Sequence, residues 1–586
     1  MIFISILILI SSISVAIRRD KSISYARSAI ETLITASIIN INSSYYQVNN
    51  KALGLFHGLF HISAVTQVFH TFLFVVSALI LQLNSFYPRK VWTENFSSMY
   101  KWLFCKLVYF NGFIENKKAK QFKILEYPII IMFILLGGVF LICSSDFMSV
   151  FLSIELQSYG LYILCSIYRD SEKATSAGLT YFLLGGLSSC FILLSSGIFY
   201  ANSANTGFDS LYIINNISAI ADNVYEMFEI SFNEVYKSYY VNFSLVILSI
   251  GFLFKVTASP FHSWSPDVYD AIPTIVTTFV AIFAKISIFI FLLELVNYTT
   301  SLSVSEYQTK QEYAFSNFSW TFTFLVSSLL SLLIGSLAGL TQFRIKRLYA
   351  YSTISHIGFI LLALTVNSVE SIQSFTFYLM QYSIANLNAF IILVTIGFSL
   401  YTYVETSKDL EGNKIDSVIS KISDKNNSPL QYINQIKGLF YINPILSISL
   451  ALTIFSFVGI PPLIGFFAKQ MVISSAINSG YNFMVFIAIL TSVISAYYYL
   501  VIIKQMFFFS SDYVVNPQLK DITIITNITN FISNYKVTDT TNNVISLSST
   551  LSSTISILSL VIMLFIWNPE EWLSMTNILA TTIFYN

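Results

Sequence analysis

The chain has 586 residues, 55% of them hydrophobic and only 10% charged, with a formal net charge of +1. That balance excludes a soluble domain with one anchor and points to a polytopic membrane protein. It also leaves no basic footprint for nucleic acid.

The first apolar run begins at Met1 (MIFISILILISSISVAI) and lacks a basic n-region and a small-residue cleavage site, so it reads as a retained helix with no transit peptide before it. Richness in Ile, Phe, Tyr, Asn and Ser, with few Arg and Ala, fits an AT-rich gene of the kind mitochondrial genomes carry. Fourteen apolar segments follow one another near 2–17, 26–43, 56–83, 126–143, 147–168, 174–200, 240–258, 273–296, 320–340, 347–366, 373–403, 440–478, 483–508 and 551–568. Each is long enough, or nearly so, to span about 30 Å of hydrocarbon. The second is short and holds Glu31; the twelfth is too long for one straight helix and contains GIPP at 459–462, which predicts a break.

Loop charge agrees with this count. With the N-terminus outside, the inner loops are 86–125, Arg169 to Lys173, Arg344 to Arg347 and 405–438, all rich in Lys or Arg. The outer loop 201–239 carries Asp209, Asp222, Glu226, Glu229 and Glu234 against Lys237 alone, and 297–319 carries Lys310. Basic residues therefore gather on one side, as the positive-inside rule expects.

The stretch 251–286, GFLFKVTASPFHSWSPDVYDAIPTIVTTFVAIFAKI, organises the rest. Two apolar helical segments flank a polar insert with Pro260, His262, Pro266, Asp267, Asp270 and Pro273. Proline removes a backbone donor, so breaks are expected at Pro260 and Pro266, and likewise at Pro461 and Pro462. Broken helices at membrane depth are tolerated where freed carbonyls face protein or water, and transporters place them beside buried charge. Segments four to eight hold one such break, next to Lys255, and segments nine to thirteen hold another, next to Lys469. This pattern predicts two inverted five-helix repeats.

Four residues stand out as buried charge. Glu155 lies nine residues past Asp146, about 13 Å along a helix and hence near mid-membrane. Lys255 is its candidate partner. Lys285 follows Pro273 by twelve residues, about 18 Å of helix, too deep to snorkel easily. Lys469 lies seven residues beyond Pro462. A lysine near the bilayer centre costs roughly 2.5–3.5 kcal/mol even on insertion scales, so each needs a reason. Proton exchange along a Glu/Lys chain is one; a static pair that fixes packing, or snorkelling for Lys469, is the other. His262, His356 and Gln381 are candidates for a water-lined proton path, with interhelical hydrogen bonding as the alternative. Arg344, Lys346 and Arg347 read as anchors at the inner face.

Redox and metal chemistry find no support. Cys105, Cys143, Cys165 and Cys190 form no CxxC, and three lie in apolar runs. The five histidines form no HExxH; His57 and His61 are spaced to share a helix face but bring no carboxylate or cysteine. No Walker A loop and no GxGxxG occurs.

FKVTASPFHSWSPDVYDAIPT, SIELQSYGLY, QFRIKRLYAYSTISHIGFILL and FVGIPPLIGFFAKQ fall in that family's order, and through them residues 120–510 resemble the proton-translocating antiporter-like family of respiratory complex I. The resemblance implies roles for matching positions: a Glu155–Lys255 pair, Lys285 continuing the path, and Lys469 ending it where other members have glutamate. It implies that NADH, FMN, iron–sulfur clusters and ubiquinone belong to other subunits, with no cofactor or metal held by this chain. It further implies neighbouring antiporter-like and other membrane-arm subunits as partners, and the mitochondrial inner membrane as location. The largest family member carries a long lateral helix after the bundle; this chain ends at Asn586, just past segment fourteen.

The expectation is thus an all-α polytopic membrane protein of about 14 transmembrane helices. Its parts are 1–125 (helices 1–3 and a basic loop), 126–296 (first repeat), 297–510 (second repeat) and 511–586 (polar loop and helix 14). Its expected function is proton translocation coupled to NADH-to-ubiquinone electron transfer. A stand-alone cation/proton antiporter and a purely structural membrane subunit are the alternatives. The polar insertions 86–125, 405–438 and 511–550 have no assigned role.

Overall fold

The computed structural model describes residues 1–15, 22–44, 53–85, 124–169, 171–214, 238–300, 320–400, 403–405, 430–510, 513–515 and 549–585. Most of the charged loops read above, and Cys105, lie outside them. The described residues are mainly helical: α1 (Ile2–Val15), α2 (Ser22–Ser44), α3 (Ala64–Ser85), α4 (Tyr127–Cys143), α5 (Phe147–Ser166), α6 (Glu172–Ser203), α7 (Ser238–Val256), α8 (Trp264–Ala271), α9 (Thr274–Thr300), α10 (Phe322–Gly339), α11 (Ile345–Val366), α12 (Val369–Leu400), α13 (Pro444–Val458), α14 (Ile464–Asn478), α15 (Asn482–Phe508), α16 (Ser549–Leu564) and α17 (Pro569–Tyr585). Each expected apolar segment overlaps a helix or a helix pair, with residues 56–62 of the third lying in a hairpin ahead of α3. Nine helices among the described residues are long and apolar enough to cross a membrane; α1, α4, α7 and α13 are shorter apolar helices.

Local chemistry sets the ends. Asp146 caps α5 by accepting from the Met148 amide at 3.2 Å, and the Ser149 hydroxyl accepts in return from the Asp146 amide. Asn443 caps α13 and Pro444 fills its first position, where no intrahelical partner exists for an N–H. α9, 94% buried over its apolar window, lies at the centre, while α15, 33% buried, lies at the perimeter.

The two expected repeats have a packing signature. A Cβ on Gly137 of α4 would lie 2.6 Å from the Gln157 amide nitrogen of α5; one on Gly335 of α10 would lie 2.6 Å from the Ser355 amide nitrogen of α11. Gly160 of α5 packs back on Ile134, and Gly358 of α11 packs back on Leu332. One sequence interval separates all four pairs of equivalents: 137 and 335, 157 and 355, 160 and 358, 134 and 332. The breaks match too. α7 ends where Thr257 takes φ 69° and the Ala258 amide donates to Leu253 O (3.0 Å); α13 ends where Gly459 takes φ 85° and the Ile460 amide donates to Phe455 O (3.2 Å). Both breaks contain a cis X–Pro bond, Ser259–Pro260 and Pro461–Pro462. Five crossings leave a chain on the far side of a bilayer, so a second five-helix unit runs upside down relative to the first.

Three expectations change. Pro266 is not a break: it sits in the first turn of α8, where a missing N–H costs nothing, and the interruption lies ahead of it at 257–263. His57 and His61 share no helix face, because β1 (Leu53–Leu55) and β2 (Phe60–Ile62) form an antiparallel hairpin with His57 in its turn. A second short ladder, β3 (Tyr403–Glu405) with β4 (Tyr513–Val515), joins two loop ends. Finally, α17 follows α16. Its Glu570 and Glu571 break the apolar run that membrane-length reasoning requires. It lies against the bundle, where its Leu573 carbonyl accepts from Gln373 of α12 at 3.2 Å.

Candidate functional site

The four expected charged residues lie on four helices, α5, α7, α9 and α14, and have three kinds of partner. Lys255 Nζ stands 3.4 Å from Glu155 Oε1, with side chains 8% and 13% exposed. The break places it there: α7 stops one residue later, and the freed Phe254 carbonyl accepts from the Trp264 indole at 3.1 Å. A carboxylate and an ammonium shielded from water stabilise each other's charged forms.

Lys285, 1% exposed on α9, donates to the Thr353 hydroxyl of α11 at 3.3 Å and lies 5.6 Å above the Tyr269 ring. On the same two helices as Glu155 and Lys285, Gln157 of α5 and Ser287 of α9 exchange hydrogen bonds of 3.0 and 3.2 Å. Tyr382 of α12 donates to Ala281 O at 3.3 Å, one turn from Lys285.

Lys469 of α14 has carbonyl partners. Its Nζ donates to Phe457 O at 2.8 Å and Val458 O at 3.0 Å, the last carbonyls of α13, which have no continuing helix to serve. A cation at a helix C-terminus also suits the helix dipole. Its stem fills the space where a Cβ on Gly459 would be, 3.1 Å from Lys469 Cδ.

His356 of α11 is buried between two tyrosines. Nδ1 pairs with the Tyr378 hydroxyl at 2.8 Å, and the Tyr499 hydroxyl pairs with Nε2 at 3.4 Å. Gln381 donates to Ser456 on α13 at 3.4 Å. His262 lies in the turn between α7 and α8, with a buried Nδ1 that has no hydrogen-bond partner among the described residues. The hydroxyls of Thr257, Ser259, Ser265, Tyr269 and Tyr349 are likewise buried and unpartnered, so the middle of the bundle is polar well beyond its charges. The structure thus sets Glu155, Lys255, Lys285, His356, Gln381 and Lys469 among the inner helices, from α5 through α9 and α11 to α14.

The sequence reading missed the residues between the charges. Gln157, Ser287, Tyr378, Tyr382 and Tyr499 are ordinary polar residues in apolar runs; the Thr353 hydroxyl is legible as a water-holding group near His356, but only the fold shows that it meets Lys285. It also missed a clamp between α8 and α11. Arg344 pairs with Asp270 and Arg347 with Asp267, tying α8 of the first unit to α11 of the second. Lys346 is corrected from a surface anchor to a buried residue: it is 1% exposed and donates to Ile272 O at 2.6 Å, capping the C-terminal end of α8. No group of three or more metal-ligating side chains occurs among the described residues.

Residues 144–495 match the family described as NADH:quinone oxidoreductase/Mrp antiporter, transmembrane. NADH-ubiquinone oxidoreductase chain 2 of Rhizopus oryzae is 40% identical over 589 residues, all of both chains. NADH-quinone oxidoreductase subunit N 1 of Rhizobium meliloti is 31% identical over 384 residues, 66% of this chain and 68% of that one. Among solved structures, a chain of respiratory complex I from Thermus thermophilus superposes with TM-score 0.64 at 20% identity, covering 98% of this chain and 99% of that one. A chain of the Mrp complex from a Dietzia species superposes with TM-score 0.67 at 14% identity, covering 100% and 96%, and so shares the fold. With identity running end to end and every helix of the matched region in place, the chain belongs to the NADH:quinone oxidoreductase/Mrp antiporter family, among its relatives of the NADH-ubiquinone oxidoreductase chain 2 type.

Proposed function

We propose that protons pass along the buried line Glu155, Lys255, Lys285, His356 and Lys469. The observation that carries this reading is the Glu155–Lys255 pair, 3.4 Å apart inside an apolar bundle. A static pair is an expensive way to fix packing that apolar side chains achieve as well. The chain is a membrane-arm subunit of the H+-translocating NADH:ubiquinone reductase, and a multi-pass membrane protein of mitochondria. Electron transfer elsewhere in the complex changes the charge along the line; this chain orients and exchanges protons and performs no redox step. In this reading NADH, FMN, iron–sulfur clusters and ubiquinone are held by other subunits. Neighbouring antiporter-like subunits flank the chain in the inner membrane, its gene lies in the mitochondrial genome, and residues 126–296 and 297–510 are its two repeats.

Lys469→Met tests the line, because methionine keeps the bulk and has no exchangeable proton. Assembly should fall, because the Phe457 and Val458 carbonyls lose their donor, and NADH oxidation and vesicle acidification should both be depressed per assembled complex. Lys504→Met, exposed on α15, is the control and should be mild. Normal pumping by the Lys469→Met complex would remove this residue from the path. Recovery of the wild-type chain from mild detergent as an active monomer would instead favour a stand-alone antiporter.

A further inference from the structure

We infer that Thr353 is the positioning residue for Lys285, holding its amino group at the junction between the two five-helix units. This rests on the proton-line reading above and goes beyond it.

Two independent observations converge. The first is register. The interval that carries Gly137 onto Gly335, Gln157 onto Ser355 and Gly160 onto Gly358 carries Glu155 onto Thr353. Helix pairs packed through equivalent glycines present equivalent positions to the bundle interior. Thr353 of α11 therefore stands where the first unit places its carboxylate. The second is contact. Thr353 is fully buried, and its Oγ1 lies 3.3 Å from Lys285 Nζ. Each unit thus turns the same position toward a buried lysine: Glu155 toward Lys255 within the first unit, Thr353 across to Lys285 from the second.

The residue types differ, and the difference has a consequence. A carboxylate accepts only and favours the charged lysine. A hydroxyl accepts from an ammonium and also donates to a neutral amine. The Thr353 hydroxyl now donates to Ala350 O at 2.8 Å, leaving its lone pairs for Lys285. When Lys285 has lost its proton, a rotation about χ1 or of the hydroxyl turns that donor to the amine. Thr353 therefore keeps Lys285 in place in both charge states, as a partner on a proton path must.

The test uses the whole complex in resealed membranes, with NADH oxidation and acidification normalised to assembled complex. Thr353→Val keeps the shape and removes the hydroxyl; both rates should fall together by about tenfold, the scale of losing a positioned group. Thr353→Ser keeps the hydroxyl and removes the methyl, and should retain most of the rate. The reverse order, Val active and Ser impaired, would assign Thr353 to packing and overturn the inference. Thr353→Glu should assemble and turn over slowly, because a carboxylate fixes the charge on Lys285; wild-type rates for it would also overturn the inference. Lys285→Met separates the two levels. Loss in Lys285→Met with normal rates in Thr353→Val removes only Thr353; normal rates in both remove the proton line itself. If Thr353→Val fails to assemble, the Thr353→Val, Lys285→Met double variant decides. Restored assembly means that the stranded ammonium was the fault and supports the contact, and continued failure refutes it.

Discussion

Removing one charge of the Glu155–Lys255 pair strands the other in an apolar bundle. Losing one partner of a buried pair costs roughly 3–5 kcal/mol, whereas replacing both by apolar groups is often near neutral. Glu155→Gln and Lys255→Met should each reduce assembled complex, measured on native gels, and the double variant should assemble better than Lys255→Met alone. Strictly additive losses would mean that the two do not interact. Lys346 behaves differently. Its sequence context, RIKRLY, reads as a surface anchor, yet its ammonium closes the C-terminal end of α8. Lys346→Met leaves the Ile272 carbonyl buried without this donor, at a cost of about 1–3 kcal/mol. The expected outcome is lower assembly, with turnover per assembled complex largely kept.

At the scale of elements, the two breaks do the positioning. Gly459 takes φ 85° and makes room for the Lys469 stem. An L-residue in that conformation costs roughly 1–2 kcal/mol, and its Cβ would press on Lys469 Cδ. Gly459→Ala should therefore lower NADH turnover more than it lowers assembly, by moving Lys469 off the α13 carbonyls. Equal losses in both would point to general destabilisation. At the opposite face the β1–β2 hairpin docks on α9 through His61 and Glu294, 3.7 Å apart, with Asp209 nearby. Burial works against charge on His61, but Glu294 and then Asp209 outweigh it, and the protonation midpoint of His61 is raised from its usual value. A raised midpoint means stability present at low pH and lost as pH rises through the folded-state value. Hydrogen exchange of residues 53–62, corrected for its intrinsic pH dependence, should show protection falling over that range. His61→Gln should abolish the change; an unaltered profile in that variant would exclude the pair as its cause.

At the scale of the whole molecule, the clamp of Arg344 on Asp270 and Arg347 on Asp267 links the break of the first unit to α11 of the second. The acidic cluster of Glu294 and Asp209 lies at the other end of α9 and past α6. Thiol labels placed in 86–125 or 405–438 should react from the matrix side, and labels in 201–239 from the intermembrane side. Labelling of 201–239 from the matrix alone would overturn the fourteen-segment count.

The sequence by itself determined the all-helical membrane class, the places of the two breaks and four of the charges that the fold buries, Lys346 being the one it missed. Those depend on local quantities: apolar length against bilayer thickness, the missing N–H of proline, and the cost of a lysine among Phe, Ile and Ala. It went wrong where locality misleads. Pro266 opens a short helix instead of ending one, and α17 contains two glutamates that conceal its packed face. Only the tertiary structure decided which polar residues meet. Thr353 and Lys285 are 68 positions apart, Gln157 and Ser287 130, and Tyr499 and His356 143. No periodicity or composition records those meetings, because they arise from glycine-to-backbone contacts that set how closely whole helices approach. The same contacts place a hydroxyl where the first unit has a carboxylate, and so give three lysines of one residue type three different partners.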